Sequence, residues 1–93
     1  MVEAASIKHT FTYDGAQVGV YHANKGEGLP RHSHGYSHAT ICHNGSCAIR
    51  MEGKEKIIDK NSGAFNLPAD KWHEIEALED DTVFVNVFSE GKY

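Results

Sequence analysis

Punctuation narrows the fold of this chain more than any other feature. Turn-forming groups recur at Asp14-Gly15, Lys25-Gly26-Glu27-Gly28, Asn44-Gly45, Glu52-Gly53, Asn61-Ser62-Gly63, Pro68-Ala69-Asp70 and Glu79-Asp80-Asp81. At that spacing no stretch of about eleven residues keeps a helical period, whereas short strands fit between the turns. SIKHTFTY (residues 6–13) alternates Ile7, His9, Phe11 and Tyr13 with polar residues, and AQVGVYHA follows Asp14-Gly15 as the second arm of a hairpin. CAIRM, KIID and AFNL read as further brief strands, and TVFVNVF (residues 82–88) is apolar enough for both of its faces to be covered. WHEIEALED has apolar residues at helical spacing, but a turn precedes it directly and its length is marginal, so a strand is preferred. Many short strands in this rhythm predict an antiparallel all-β sandwich or barrel. No repeat, low-complexity tract or linker interrupts the pattern, so one domain over residues 1–93 is expected.

A chain of 93 residues has a thin core, and support from a metal ion or a partner subunit is expected. The formal charge is −4, with acids and bases interleaved. Without a basic stripe to follow a phosphate backbone, no nucleic-acid partner is expected. The apolar runs are too short to span a membrane, and MVEAASIKHT has no secretory h-region, so a cytoplasmic location is expected.

The two cysteines, Cys42 and Cys47, flank Asn44-Gly45. That dipeptide is a strong hairpin signal, and a two-residue turn there would oppose Cys42 and Cys47 at a Cα separation of roughly 4.5 Å. A disulfide would then be sterically possible, although a reducing compartment favours two thiols.

The stretch RHSHGYSHAT (residues 31–40) concentrates three histidines, His32, His34 and His38. In an uninterrupted strand all three would share a face with Tyr36, Thr40 and Cys42, and His43 would point away. Gly35 is a place where a bulge could break that parity. Neutral imidazoles gathered on one face make a good site for zinc, iron, nickel or copper. LPADKWHEI (residues 67–75) supplies a fourth candidate. Pro68 and the left-handed tolerance of Asp70 would form a tight turn that delivers His73 inward at the start of a strand. His9 and His22 lack such framing and are not expected to be ligands.

GEGLPRHSHGYSHATICHNG (residues 26–45) resembles the first motif of the cupin superfamily, with Gly26, His32, His34 and Gly45 at the expected spacings and His38 where the family has glutamate. Gly63, Pro68, Asp70, His73 and Ala77 resemble the second motif imperfectly. One residue is missing before Pro68, Asp70 stands for a glycine and Ala77 for an asparagine. The resemblance implies a small antiparallel jelly-roll β-barrel holding one divalent metal (Fe, Mn, Zn, Ni or Cu) on His32, His34, His38 and His73. Loss of the glutamate weakens any analogy to cupin enzymes that use it as a base.

Four neutral ligands leave a divalent ion with about two uncompensated positive charges, which favours an anionic guest such as a carboxylate or keto acid. Tyr36 is the candidate catalytic hydrogen-bond donor. Arg31, Tyr36 and Trp72 are candidate substrate-binding residues at the barrel mouth. Two classes of function fit: a metal-dependent enzyme (an oxygenase, or a redox-neutral isomerase, dehydratase or lyase), and a non-catalytic module that binds a small ligand or metal. A homodimer is expected from the apolar surface of the strands before residue 24 and of TVFVNVF.

Overall fold

The computed structural model describes residues 2–33, 35 and 37–89. Among these the chain forms ten strands and no helix: β1 Glu3–Ala4, β2 Ser6–Tyr13, β3 Ala16–Ala23, β4 Glu27–His32, β5 His38–Asn44, β6 Ser46–Met51, β7 Lys54–Asp59, β8 Ala64–Leu67, β9 His73–Ala77 and β10 Thr82–Ser89. They make two five-stranded sheets, in the orders β1-β4-β9-β6-β7 and β2-β3-β10-β5-β8. Only β1 and β4 run parallel among the described pairs. The architecture is an all-β jelly-roll barrel. Among the described residues no helix is long and apolar enough to cross a membrane.

Period-two alternation builds the interior. On β9, His73, Ile75 and Ala77 are buried while Glu74 and Glu76 lie between them. On β6, Cys47 and Ile49 are buried, and on β5, His38, Thr40 and Cys42. Phe84 of β10 is fully buried and stacks on Tyr21 of β3, ring centroids 5.0 Å apart. Of these, Cys42, Cys47, Ile49, Ile75, Ala77 and Phe84 form one core cluster with Ala23, Ile58 and Leu67. Each large apolar side chain in it contributes about 1.5–3 kcal/mol by burial. Two inward ladders, His73–Ile75–Ala77 and His38–Thr40–Cys42, thus pass from a histidine-bearing end to an apolar end.

Two hairpins form where the turn chemistry requires them. Asp14-Gly15 joins β2 to β3 and Glu52-Gly53 joins β6 to β7, and all four turn residues have positive φ. That is the signature of the type I′ turn, whose twist suits paired strands. The hairpin expected at Asn44-Gly45 does not form. β5 pairs with β10 and β8, and β6 pairs with β7 and β9, so these two residues carry the chain from one sheet to the other. Gly45 has φ 75°, and a Cβ there would collide with Thr82. Asn44 donates from its side-chain amide to the carbonyl of Asp81, tying the corner to the turn before β10. Cys42 and Cys47 therefore meet across the barrel rather than across a hairpin, as two buried free thiols.

The two faces of β10 differ. Thr82, Phe84, Asn86 and Phe88 are buried, whereas Val83, Val85 and Val87 on the outer face are half-buried. On the same outer face, Phe11 of β2 and Ile41 of β5 are exposed, and Tyr13 is 75% exposed.

Candidate metal centre

Three histidines converge at the polar end of the barrel, from both sheets. His73 opens β9 after the turn that Pro68 begins; in that turn Asp70 adopts φ 63°, the left-handed conformation expected of it. His32 closes β4 and stands opposite His73 in the register. Leu29 already pairs with Ile75, so regular pairing would set Arg31 against His73; one extra residue in β4 shifts the phase. This bulge, at Pro30-Arg31, turns His32 inward. His38 opens β5 in the other sheet, opposite Leu67 of β8.

The rings share one space. The centroids of His32 and His73 lie 4.4 Å apart, and those of His38 and His73 5.4 Å apart, with each pair of planes steeply inclined. Two imidazoles on one ion at a metal–nitrogen distance of ~2.1 Å have centroids roughly 4.5–5.2 Å apart for coordination angles of ~90–109°. The observed separations bracket that range. Among the described residues no group of three His, Cys, Asp or Glu donors is drawn in closely enough to enclose an ion. His34, a fourth donor by motif, lies outside the described residues, as does Tyr36.

Hydrogen bonding fixes how each ring presents itself. Nδ1 of His32 donates to the carbonyl of Pro30 at 2.7 Å, and Nδ1 of His73 donates to that of Lys71 at 2.9 Å. Two rings from different strands thus use the same tether, to the carbonyl two residues back. His38 reaches the same state by another route. The Thr40 hydroxyl donates to Oδ1 of Asn86 at 2.7 Å, and Nδ1 of His38 lies 3.3 Å from that hydroxyl oxygen. With its proton committed to Asn86, Thr40 Oγ1 can only accept from His38. All three imidazoles then carry their proton on Nδ1 and present Nε2 as the donor atom, the arrangement usual in metal-ligating histidines. Imidazole nitrogens drawn from both sheets are the donor chemistry that suits a divalent transition metal.

Burial adds to this. His73 is 1% exposed and His38 4% exposed, whereas His32 is half-buried towards the rim. Beside His73, a groove of about 380 Å³ is lined by Arg31, Arg50, Lys54, Trp72 and the carboxylates of Glu52, Glu55 and Glu74, among others. The Arg31 guanidinium lies over the Trp72 ring, 5.7 Å from its centroid, and Trp72 is 54% exposed. Within that groove Arg50 bonds Glu55 and Glu74, and it also bonds Glu76. These carboxylates, Glu55 most, then Glu76 and Glu74, hold its guanidinium above its ordinary range.

The remaining histidines lie elsewhere. His9 and His43 are exposed, and His22 approaches Asp81 at 3.4 Å. Sequence reasoning missed Asn86. Its signal was a lone amide in the otherwise apolar TVFVNVF, at the parity of Phe84 and Phe88. For Thr40 the strand parity gives the face, and only the contact with Asn86 gives the role.

Two sheets closed over a histidine-lined end constitute the cupin fold. The chain is similar to a cupin superfamily protein from Desulfitobacterium hafniense DCB-2, with TM-score 0.78 and 12% identity over 96% of this chain and 80% of that one. It is similar to KdgF from a Halomonas species, with TM-score 0.77 and 20% identity over 87% of this chain and 74% of that one. A cupin domain from Bordetella pertussis Tohama I matches with TM-score 0.70 and 14% identity over 98% of both chains. No family model matches the sequence, and no curated protein does so either.

Proposed function

We propose that the chain, as one domain over residues 1–93, is a small metal-dependent cupin enzyme acting on an anionic organic substrate such as a carboxylate or keto acid. The observation that carries this reading is the convergence of His32, His38 and His73 with every Nδ1 tied back. The ligand set is these three with His34. A divalent ion bound there would serve as a Lewis acid toward a substrate oxygen, with its positive charge uncompensated by any carboxylate in the set.

The chain's own groups then bind and orient the guest. Arg31, held at the groove by Trp72, would receive the substrate carboxylate. An arginine does this well because its planar fork matches a carboxylate bidentately. Tyr36 is proposed as a hydrogen-bond donor to the substrate, and Trp72 as an apolar wall that excludes water from one side. The buried ends of His38 and His73 keep the interior dry around the donors, which strengthens each electrostatic contact there.

The working unit is proposed to be a homodimer in the cytoplasm. The outer face of β2, β3, β10 and β5 joins exposed Phe11 and Ile41 to the half-buried valines of β3 and β10, an apolar surface suited to a second copy.

The deciding experiment combines elemental analysis of protein purified without chelators with turnover assays on a panel of small carboxylates and keto acids, with and without oxygen. One divalent ion per chain with turnover supports the enzyme. Oxygen uptake would mark an oxygenase, and anaerobic conversion a redox-neutral isomerase, dehydratase or lyase. Stoichiometric metal without turnover would reduce the reading to a ligand- or metal-binding module, and a metal-free protein would overturn it.

A further inference from the structure

We propose that Thr40 and Asn86 form a positioning relay that sets the tautomer of His38 and thereby the metal affinity of the site; this rests on the metal-centre reading above. Asn86 of β10 and Thr40 of β5 are directly paired in the sheet. Both are buried, at 3% and 0% exposure, and Asn86 shares the inward face of β10 with Thr82, Phe84 and Phe88. A buried hydroxyl and a buried amide in an apolar interior cost free energy unless each makes its hydrogen bonds. Here the bonds form a directed line: His38 Nδ1–H to Thr40 Oγ1, Thr40 O–H to Asn86 Oδ1.

The direction matters because a hydroxyl has one proton. While the Asn86 carbonyl oxygen takes it, Thr40 is an acceptor toward His38, and the imidazole must hold its proton on Nδ1 and its lone pair on Nε2. If Asn86 could not accept, the Thr40 hydroxyl could turn and donate to Nδ1, placing the imidazole proton on Nε2 where a ligand lone pair is required. His32 and His73 need no such device, because backbone carbonyls can only accept. The Nδ1 contact of His38 is to a side chain, so substitution there can tune the site without touching a ligand.

The test uses the full chain, metal-free and titrated with zinc(II). Histidine 15N NMR of the metal-free wild type should show His38 as the Nδ1–H tautomer, and the Asn86→Leu variant should shift it toward Nε2–H. An Nε2–H signal in the wild type, or an unchanged tautomer in Asn86→Leu, overturns the relay. In competition with a chromophoric chelator, Thr40→Val and Asn86→Leu should each weaken zinc binding by about 10–100-fold, the usual cost of removing an outer partner, while Thr40→Ser stays within about threefold of wild type. Because the two residues act in series, the double variant should bind no more weakly than the worse single variant. Additive losses, or wild-type affinity in Thr40→Val, overturn the proposal. If Thr40→Val does not fold, Asn86→Leu and Thr40→Ser carry the same expectations. A wild type that binds no zinc would sink the metal reading, and the tautomer measurement would still decide the relay.

Discussion

His32 and His73 stand opposite one another across the β4–β9 pair with ring centroids 4.4 Å apart, although regular pairing would put Arg31 in the place of His32. One extra residue at Pro30-Arg31 exchanges the two. It sends an imidazole into the barrel and leaves the guanidinium at the rim, over Trp72.

His73 is the shared neighbour of both other described rings, so its loss should be the most damaging. His73→Ala should lower divalent-metal affinity at least about 100-fold, and His34→Ala should remove most of the metal that co-purifies with the chain. Chelator competition and elemental analysis measure the two. Wild-type stoichiometry in either variant would count against the ligand set.

Metal content should fall as the pH is lowered, because a protonated imidazole has no lone pair to give. Dialysis at graded pH followed by elemental analysis checks this. Full retention at pH 5 would argue that the ion is held by other groups.

The thiols of Cys42 and Cys47 should be inert in the native protein. Burial raises both above their ordinary value of 9.0, and for Cys47 the adjacent Cys42 raises it further. In the folded chain the thiols stay protonated where the unfolded chain would ionise. Their contribution to stability is therefore complete below about pH 9 and is lost as the pH rises from there. Alkylation at pH 8 should track global unfolding, and urea midpoints should decline from about pH 9 upward. Rapid labelling of the native protein would contradict the burial.

Gly45→Ala should destabilise the fold by more than about 1 kcal/mol, because alanine disfavours positive φ and its methyl group would meet Thr82. Gly53→Ala is the useful control. It has the same sign of φ but open space around it, so the difference between the two variants isolates the crowding at the corner. Equal denaturation midpoints would mean that the corner yields.

Light scattering should find a species of twice the monomer mass. Phe11→Asp, which puts a charge on an exposed position of the outer sheet face, should shift it to monomer while leaving zinc affinity intact. A wild type that stays monomeric at high concentration would refute the dimer.

Much of this protein was legible in order of residues alone. Turn chemistry and period-two alternation marked the strands: SIKHTFTY, AQVGVYHA and AFNL coincide with β2, β3 and β8. Those signals are local, since a side chain's face and a turn's φ depend on near neighbours. The inward aim of His73 behind Pro68 and Asp70 was local in the same sense. What only the tertiary structure decided is which strands meet. Asn44-Gly45 reads as a hairpin because a short window cannot show that β5 and β6 find their partners in different sheets. Parity within one uninterrupted strand puts His32 and His38 on one face. They share a space because the chain changes sheets between them and a bulge rephases the first. The hydrogen bond from Thr40 to Asn86 spans nearly half the chain, and a bond of that reach exists only once the barrel has closed around it.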